Sequence, residues 1–337
     1  MLALENTDLL ILPDAPAIPG LIFRRFQGES DFPHMHAIIH GCKQADDSER
    51  SDTVEDIRRN YSHLVNSDPD RDMLFAEIAG EAIAYSRVSW RTEPDGKRIF
   101  QHFGFLLPAW RRQGIGRAML RYNQAHIRQL AAAQTNHAPQ MFESFAGDKE
   151  TSATALLLSE GYLAVRHFYE MVRPDLENIP EAPMPEGLEV RPAGPEQFQA
   201  IIDASKEAFR DHWGFSEDDE PTVAQIAEDP NTDPRLWRVA WAGDEIAGMV
   251  LSFIDQNQNA EYNRLRGWTE NICVRRPWRR LGLARSLLVQ SLHAVKERGM
   301  REAALGVDTE NLSGALRLYE SVGFRPVKRF TTYHKPF

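Results

Sequence analysis

The stretches "AWRRQGIGRAML" (109–120) and "PWRRLGLARSLL" (277–288) carry Trp, two Arg, Gly, a third Arg and a final Leu at matching places. Each follows an apolar run and leads into a segment with helical apolar spacing, so each reads as a strand-to-helix turn. At such a turn the first main-chain N–H groups of the helix lack partners and lie at the positive end of its dipole. Gly114 and Gly282 remove the Cβ, which lets an anionic group reach the main chain and lets the turn adopt φ > 0. Arg111, Arg112, Arg279 and Arg280 would add charge-assisted bonds to phosphate oxygens. The turn therefore predicts a phosphate or pyrophosphate site; the alternative is an ordinary turn with solvated arginines.

The repetition extends over the whole chain. "GLIFRRF" from Gly20 returns as "GLEVRPA" from Gly187, "IAGEAIAYS" as "WAGDEIAGM", and "SEGY" with Gly161 as "SVGF" with Gly323. A nearly constant spacing between the copies is the signature of a duplicated domain with small loop insertions. The intervening "VRPDLENIPEAPMPEG" is proline-rich and lacks apolar periodicity, as linkers do. The domains are expected at 20–176 and 186–337, joined by a linker at 177–185 and preceded by an arm at 1–19.

Within the second copy, "LEVRPA" predicts a strand, "PEQFQAIIDASKEAF" an amphipathic helix, and "LWRVAWAGDEIAGMVLSFI" two strands around a turn. "GWTENICV" predicts the strand before the Arg/Gly turn, "LARSLLVQSLHAVKERG" the helix after it, closed by Gly299. Then follow the strand "EAALGVD", the helix "SGALRLYESVG" and a final strand "RPVKRFTTYHK". The first copy follows the same order. Strands alternating with helices around a hairpin give an α/β fold with a mixed sheet, repeated in tandem.

The bulk properties narrow the class. A chain of 337 residues with 42% hydrophobic content buries cores for two ordinary domains. A formal charge of -10 argues against a general nucleic-acid binder and suits a cationic or neutral small substrate. The basic run "VRRPWRR" has no interleaved aromatic beyond Trp278, which argues against a nucleic-acid patch. Cys42 and Cys273 sit in unrelated contexts, so neither a disulfide framework nor a metal site is expected, and a reducing cytoplasm fits. The N-terminus lacks a signal-peptide pattern and no apolar run reaches membrane-spanning length.

Two familiar phosphate loops fail on inspection. Neither turn has the Lys and hydroxyl of a P-loop, and neither completes G-x-G-x-x-G. What remains is R-x-x-G-x-G/A: Arg111, Gly114 and Gly116 in one copy, Arg279, Gly282 and Ala284 in the other. Together with "GVDTENLSGALRLYESVGF" at 306–324, this resembles the GNAT superfamily of N-acetyltransferases, in which such a turn holds the pyrophosphate of acetyl-CoA. The resemblance covers both halves and is fuller in the second; the two-domain layout resembles that of mycothiol synthase and its relatives. It implies that Arg279, Arg280, Leu281, Gly282, Leu283, Ala284 and Arg285 hold the cofactor. A second possible site would comprise Leu106, Arg111, Arg112, Gln113, Gly114, Ile115, Gly116 and Arg117.

Acetyl transfer from a thioester to an amine requires a neutral amine, a polarised carbonyl and a protonated leaving thiol. An alkyl amine with a pKa of ~10.4 is almost wholly charged at neutral pH, so a base must take its proton. Alternation in "GWTENICV" puts Trp268, Glu270, Ile272 and Val274 on one face, which makes Glu270 the candidate base; otherwise it is a structural carboxylate. The resemblance implies that main-chain N–H groups around Ile272, Cys273 and Val274 polarise the carbonyl. It likewise implies that Tyr319 protonates the thiolate, against the alternative of a core aromatic. Asn311 matches the family's asparagine at the helix entry, which assists cofactor binding; the other reading is a helix cap.

The first copy departs at these places. Leu157 stands at the position of Tyr319, Lys149 at that of Asn311, and His102 at that of Glu270, so this copy reads as degenerate and His102 as structural. In the loop "FRDHWGFSEDDEP" (209–221), His212, Trp213 and Phe215 are candidates for an acceptor pocket, and Asp218, Asp219 and Glu220 for attracting a cation. The reading is an acetyl-CoA-dependent N-acetyltransferase acting on a small-molecule amine, with chemistry in the second domain. Its rivals are a longer acyl donor, a catalytically silent CoA-binding scaffold and a phosphate-ligand sensor.

Overall fold

The apolar residues of "LARSLLVQSLHAVKE" recur at helical spacing, and in the computed structural model they form a helix, Leu283–Glu297, burying Leu283, Leu287, Leu288, Leu292 and Val295. The structure describes residues 9–133, 138–219, 221–311 and 314–337. Contacts group the chain into two units: one runs up to Val165 and includes Thr331–Phe337, the other is Arg166–Phe330.

In the first unit, β1 (Leu9–Leu10), β2 (Leu21–Arg24), α1 (Phe32–Asp46), α2 (Val54–Ser62), α3 (Pro69–Asp72), β3 (Met73–Ile78), β4 (Glu81–Thr92) and β5 (Arg98–Leu106) lead to the first Arg/Gly turn. Then come α4 (Ile115–Ala132), β6 (Gln140–Gly147), α5 (Thr151–Ser159) and the start of β7 (Leu163–Arg173). Strands β1 to β6 lie side by side in chain order, antiparallel except for the β5–β6 pair. Of the N-terminal arm, residues 1–8 lie outside the described residues. The rest supplies β1 and buries Leu12 in the cluster that holds Ile115 and Met119. The final residues of the chain also belong to this unit: the Phe337 ring stacks on Phe142 at 4.3 Å, and Tyr333 is buried with Phe100.

The second unit takes the greater part of β7, then β8 (Glu189–Arg191), α6 (Phe198–Phe209), α7 (Val223–Glu228), β9 (Arg238–Ala242) and β10 (Glu245–Phe253). Next come α8 (Gln256–Glu261), β11 (Arg266–Val274), α9 (Leu283–Glu297), β12 (Glu302–Asp308), α10 (Ala315–Ser321) and the start of β13 (Arg325–Pro336). The strand order is β8-β9-β10-β11-β12-β7, with β11 and β12 parallel and β12 and β7 antiparallel. This is the mixed α/β sheet expected from the sequence, repeated in tandem. Helix α9 lies so close on β11 that a Cβ at Gly267 would come within 2.8 Å of the Val295 side chain. Glycine is required there for packing, not for a turn. Among the described residues no helix is long and apolar enough to cross a membrane, and both cysteines are buried and neither forms a disulfide.

Candidate active site

The Arg/Gly turns are built alike in the two units. Arg112 and Arg280 have φ of 64° and 65°, and Gly114 and Gly282 have φ of 93° and 87°. Left-handed residues on either side of Gln113 and of Leu281 turn successive N–H groups toward one concavity, which suits an anion. Both glycines are the N-caps of their helices, and neither makes a side-chain capping bond. A Cβ at Gly282 would face open space, whereas one at Gly114 would lie 3.4 Å from Pro16 of the N-terminal arm.

Arg111 and Arg279, expected to bond phosphate, direct their guanidinium groups at protein partners. Arg279 donates to the Val274 carbonyl at 2.9 Å, the Ala208 carbonyl at 3.0 Å and Asp211 at 3.2 Å. Arg111 donates to the Leu106 carbonyl at 2.9 Å and to both Asp46 oxygens at 2.6 and 2.7 Å. These side chains tie the turn to the end of the preceding strand and to the first helix. Asp211 also binds Arg276, and the two arginines lower its pKa to about 2. Asp46 and Asp211 were missed by the sequence reading, although they lie 165 residues apart, close to the 168 that separate the arginines they hold.

The turns differ in their surroundings. Arg285 of α9 donates to the Ser321 hydroxyl at 2.7 Å. Its counterpart Arg117 pairs with Glu160 at 2.9 Å, and Arg121 pairs with Glu160 and Asp14. Carboxylates beside the first turns of α4 weaken its hold on an anion.

Strand β11 carries the decisive irregularity. Met249 pairs with Cys273 and Leu251 with Glu270, so Asn271 and Ile272 oppose the single residue Val250. Asn271 takes φ 47° in this bulge, and asparagine tolerates that conformation. The extra residue breaks the expected alternation. Glu270 stands on the face of Leu251, Met249 and Cys273, which pack toward α6, while Ile272 and Val274 pack toward α9. In the first unit β4 and β5 pair without interruption.

The backbone ladder between β11 and β12 runs through Trp268 and Ala304. Two residues further on, the Glu270 carboxylate accepts the Gly306 N–H at 3.1 Å. Burial raises the Glu270 pKa to about 7; the Gly306 bond lowers it, and Glu170 adds to the rise. Tyr319 of α10 is 5% exposed and packs edge-on against Phe324. Burial holds its phenol well above the usual range, with the Glu270 carboxylate and Cys273 contributing, so it stays protonated. The structure thus brings Glu270, Tyr319, Cys273 and Gly306 together.

Asn311 does not cap α10: its N-cap is Gly314, with φ 76°. Asn311 instead closes a turn, its N–H bonded to the Asp308 carbonyl at 3.2 Å. In the 209–221 loop, the His212 ring stands edge-on to Phe209, and its pKa is lowered by burial and by Arg279. Trp213 lies 6.2 Å from Phe168 and under the guanidinium of Arg166, which grips Asp308 at 2.7 and 2.9 Å. Phe215, expected to line a pocket, is buried at 9% exposure. The Asp218 N–H bonds Ser216 at 3.2 Å; the Asp219 side chain and Glu220 lie outside the described residues.

In the first unit His102 is 3% exposed and its Nε2 lies 2.6 Å from the Tyr162 hydroxyl, which also accepts from Gln124 at 3.1 Å. Burial lowers its pKa to about 4, so it is a neutral core group. Leu157 is buried in the same cluster as Tyr162, and Lys149 is exposed. Sequence spacing equates His102 with Glu270, but register does not. Counting from Leu106 and Val274, whose carbonyls hold Arg111 and Arg279, Phe103 opposite Arg87 takes the place of Glu270 opposite Leu251. The one-residue bulge causes the offset.

The sequence profile of the acetyltransferase (GNAT) family matches residues 32–139 and 198–324. The chain is similar to a mycothiol acetyltransferase of Thermomonospora curvata, 29% identical over 245 residues, covering 68% of this chain and 71% of that protein. A mycothiol acetyltransferase of Thermobifida fusca is 27% identical over 282 residues, covering 79% and 80%. Among solved structures, a GCN5-related N-acetyltransferase from Sphaerobacter thermophilus superposes with a TM-score of 0.71 at 27% identity, covering 95% of this chain and 96% of that one. A tandem GNAT protein from the clavulanic acid biosynthesis pathway shares the fold, with a TM-score of 0.65 at 14% identity over 94% and 98% of the two chains.

Proposed function

Because the chain belongs to the acetyltransferase (GNAT) family and is an N-acetyltransferase, we propose that its second unit moves an acetyl group from acetyl-CoA to a primary amine of a small molecule. The observation that carries this reading is the Glu270 carboxylate, set in the break between β11 and β12 with the Tyr319 phenol nearby. Acetyl-CoA, when bound, supplies the thioester. Its pyrophosphate would be held by main-chain N–H groups from Arg280 to Arg285, in a concavity that the missing Cβ of Gly282 leaves open. Asn311, in the turn before α10, is assigned to the same cofactor.

Each remaining demand falls to a residue of this unit. Glu270, with a pKa of about 7, is half ionised near neutrality and accepts a proton from the incoming ammonium. The bulge takes Asn271 and Ile272 out of regular pairing, and the N–H groups from Ile272 to Val274 are assigned to polarising the carbonyl. Tyr319, held protonated by burial, gives its proton to the departing thiolate. Trp213 and Phe168 form an apolar wall, and His212 and Asp308 the polar part, of the proposed acceptor pocket. The likeness to mycothiol acetyltransferases supports a small-molecule acceptor.

The first domain, proposed at 20–176 and joined through 177–185 to the second at 186–337, is read as catalytically silent. Its buried His102, its uninterrupted β5 and the carboxylates beside α4 support that reading. The test is thiol release from acetyl-CoA across a panel of primary amines, with product masses measured. Turnover that survives both Glu270→Gln and Tyr319→Phe would contradict the assigned roles.

A further inference from the structure

The register that places Phe103 where the second unit has Glu270 also places Arg87 where it has Leu251. A carboxylate suited to an ammonium group is thus replaced, at the matching point of the repeat, by a guanidinium beside an aromatic ring. Arg87 is half-buried, and its guanidinium lies 5.2 Å from the Tyr61 ring centre and 5.2 Å from that of Phe103. Among the described residues it has no carboxylate partner. Its guanidinium and the Tyr61 hydroxyl lie near each other, yet neither Nε nor that hydroxyl, both buried, makes a hydrogen bond of good geometry.

A half-buried cation with no counter-ion costs stability unless something pairs with it. A guanidinium flanked by two rings can keep its N–H donors for a planar acceptor. The aromatic lining continues past Phe103 to Phe105, 6.0 Å away, with the Tyr85 ring 5.4 Å from Phe105. Arg50 sits over Phe105 at 5.5 Å, but both of its bonds go to Asp52, at 2.8 and 3.1 Å. Asp52 cancels Arg50, which leaves the single charge of Arg87. These observations call for a monoanion with a flat acceptor and an apolar body.

We infer that the first unit carries a binding site for a small organic carboxylate, with the carboxylate on Arg87 and its apolar body against Phe103 and Phe105. The site is independent of acetyl transfer in the second unit. It gives the silent copy a ligand of opposite charge to the amine of the other copy.

The experiment is calorimetry on the full chain with benzoate, phenyl phosphate and benzylamine. Saturable binding of benzoate is expected, with weaker binding of phenyl phosphate and none of benzylamine. Arg87→Met should abolish benzoate binding, leave acetyl-CoA turnover unchanged, and hold or raise the Tm of the ligand-free protein. Arg87→Lys, which keeps the charge but not the planar fork, should weaken benzoate by more than about tenfold. Absence of saturable benzoate binding, or binding undiminished in either variant, would overturn the proposal. Tighter binding of phenyl phosphate or benzylamine would overturn the assignment of a monoanion. A sharp fall in Tm for Arg87→Met, with benzoate bound equally by wild type and Arg87→Lys, would make Arg87 a structural residue.

Discussion

The Glu270 carboxylate accepts the main-chain N–H of Gly306 at 3.1 Å, two residues beyond the last backbone pair of β11 and β12. A side chain stands in for the missing ladder bond, so the opening between the strands is lined by an ionisable group. Its elevated pKa and its place follow from the same geometry.

Acetyl transfer by the wild-type protein should rise with pH through about 7, because the ionised form of Glu270 is the base. Glu270→Gln should lower kcat by about 10²- to 10⁴-fold and remove that limb of the profile. Steady-state rates from pH 5 to 9 check both.

The same group gives a stability prediction with a definite sign. Its folded pKa is raised above the ordinary glutamate value, so the folded state binds a proton more tightly than the unfolded chain. The stability this contributes is present below the ordinary value and is lost as pH rises through about 7. Glu270→Gln should therefore gain Tm relative to wild type above neutrality and gain little at pH 4, as followed by thermal melts.

Tyr319→Phe keeps the buried ring and its packing on Phe324 while removing the proton. We expect a near-normal melting temperature, unchanged acetyl-CoA affinity and a fall in kcat of about 10²-fold or more. A fall in affinity with kcat preserved would return Tyr319 to a core role.

Asp46 and Asp211 hold equivalent arginines at different depths, with 10% and 39% side-chain exposure. Asp46→Ala should cost about 3 kcal/mol by leaving Arg111 half-buried and unpaired, with no effect on the KM for acetyl-CoA. Asp211→Ala should barely change stability but raise that KM, because the turn at Gly282 loses its tie to Arg276 and Arg279. Denaturant melts and kinetics on both variants separate the two effects.

Much of this was legible in the sequence. The duplication, the strand–turn–helix units and the pairing of Gly114 with Gly282 follow from repeat spacing and glycine chemistry, both local properties. The roles of Arg111 and Arg279 were not, because guanidinium partners come from α1 and α6, many residues away. The bulge was not, because a single residue at Asn271 leaves the apolar pattern readable while shifting register, and so His102 was equated with Glu270 in place of Phe103. Asn271 itself was the available signal, as asparagine inside a strand is suited to positive φ.

The central claim is that main-chain amides at the second turn hold acetyl-CoA. Calorimetry with acetyl-CoA on wild type, Gly282→Glu and Gly114→Glu, with folding verified by circular dichroism, tests it most directly. Binding by wild type and Gly114→Glu, and none by Gly282→Glu, is the predicted result; no affinity in the wild type, or equal loss in both variants, would contradict the account.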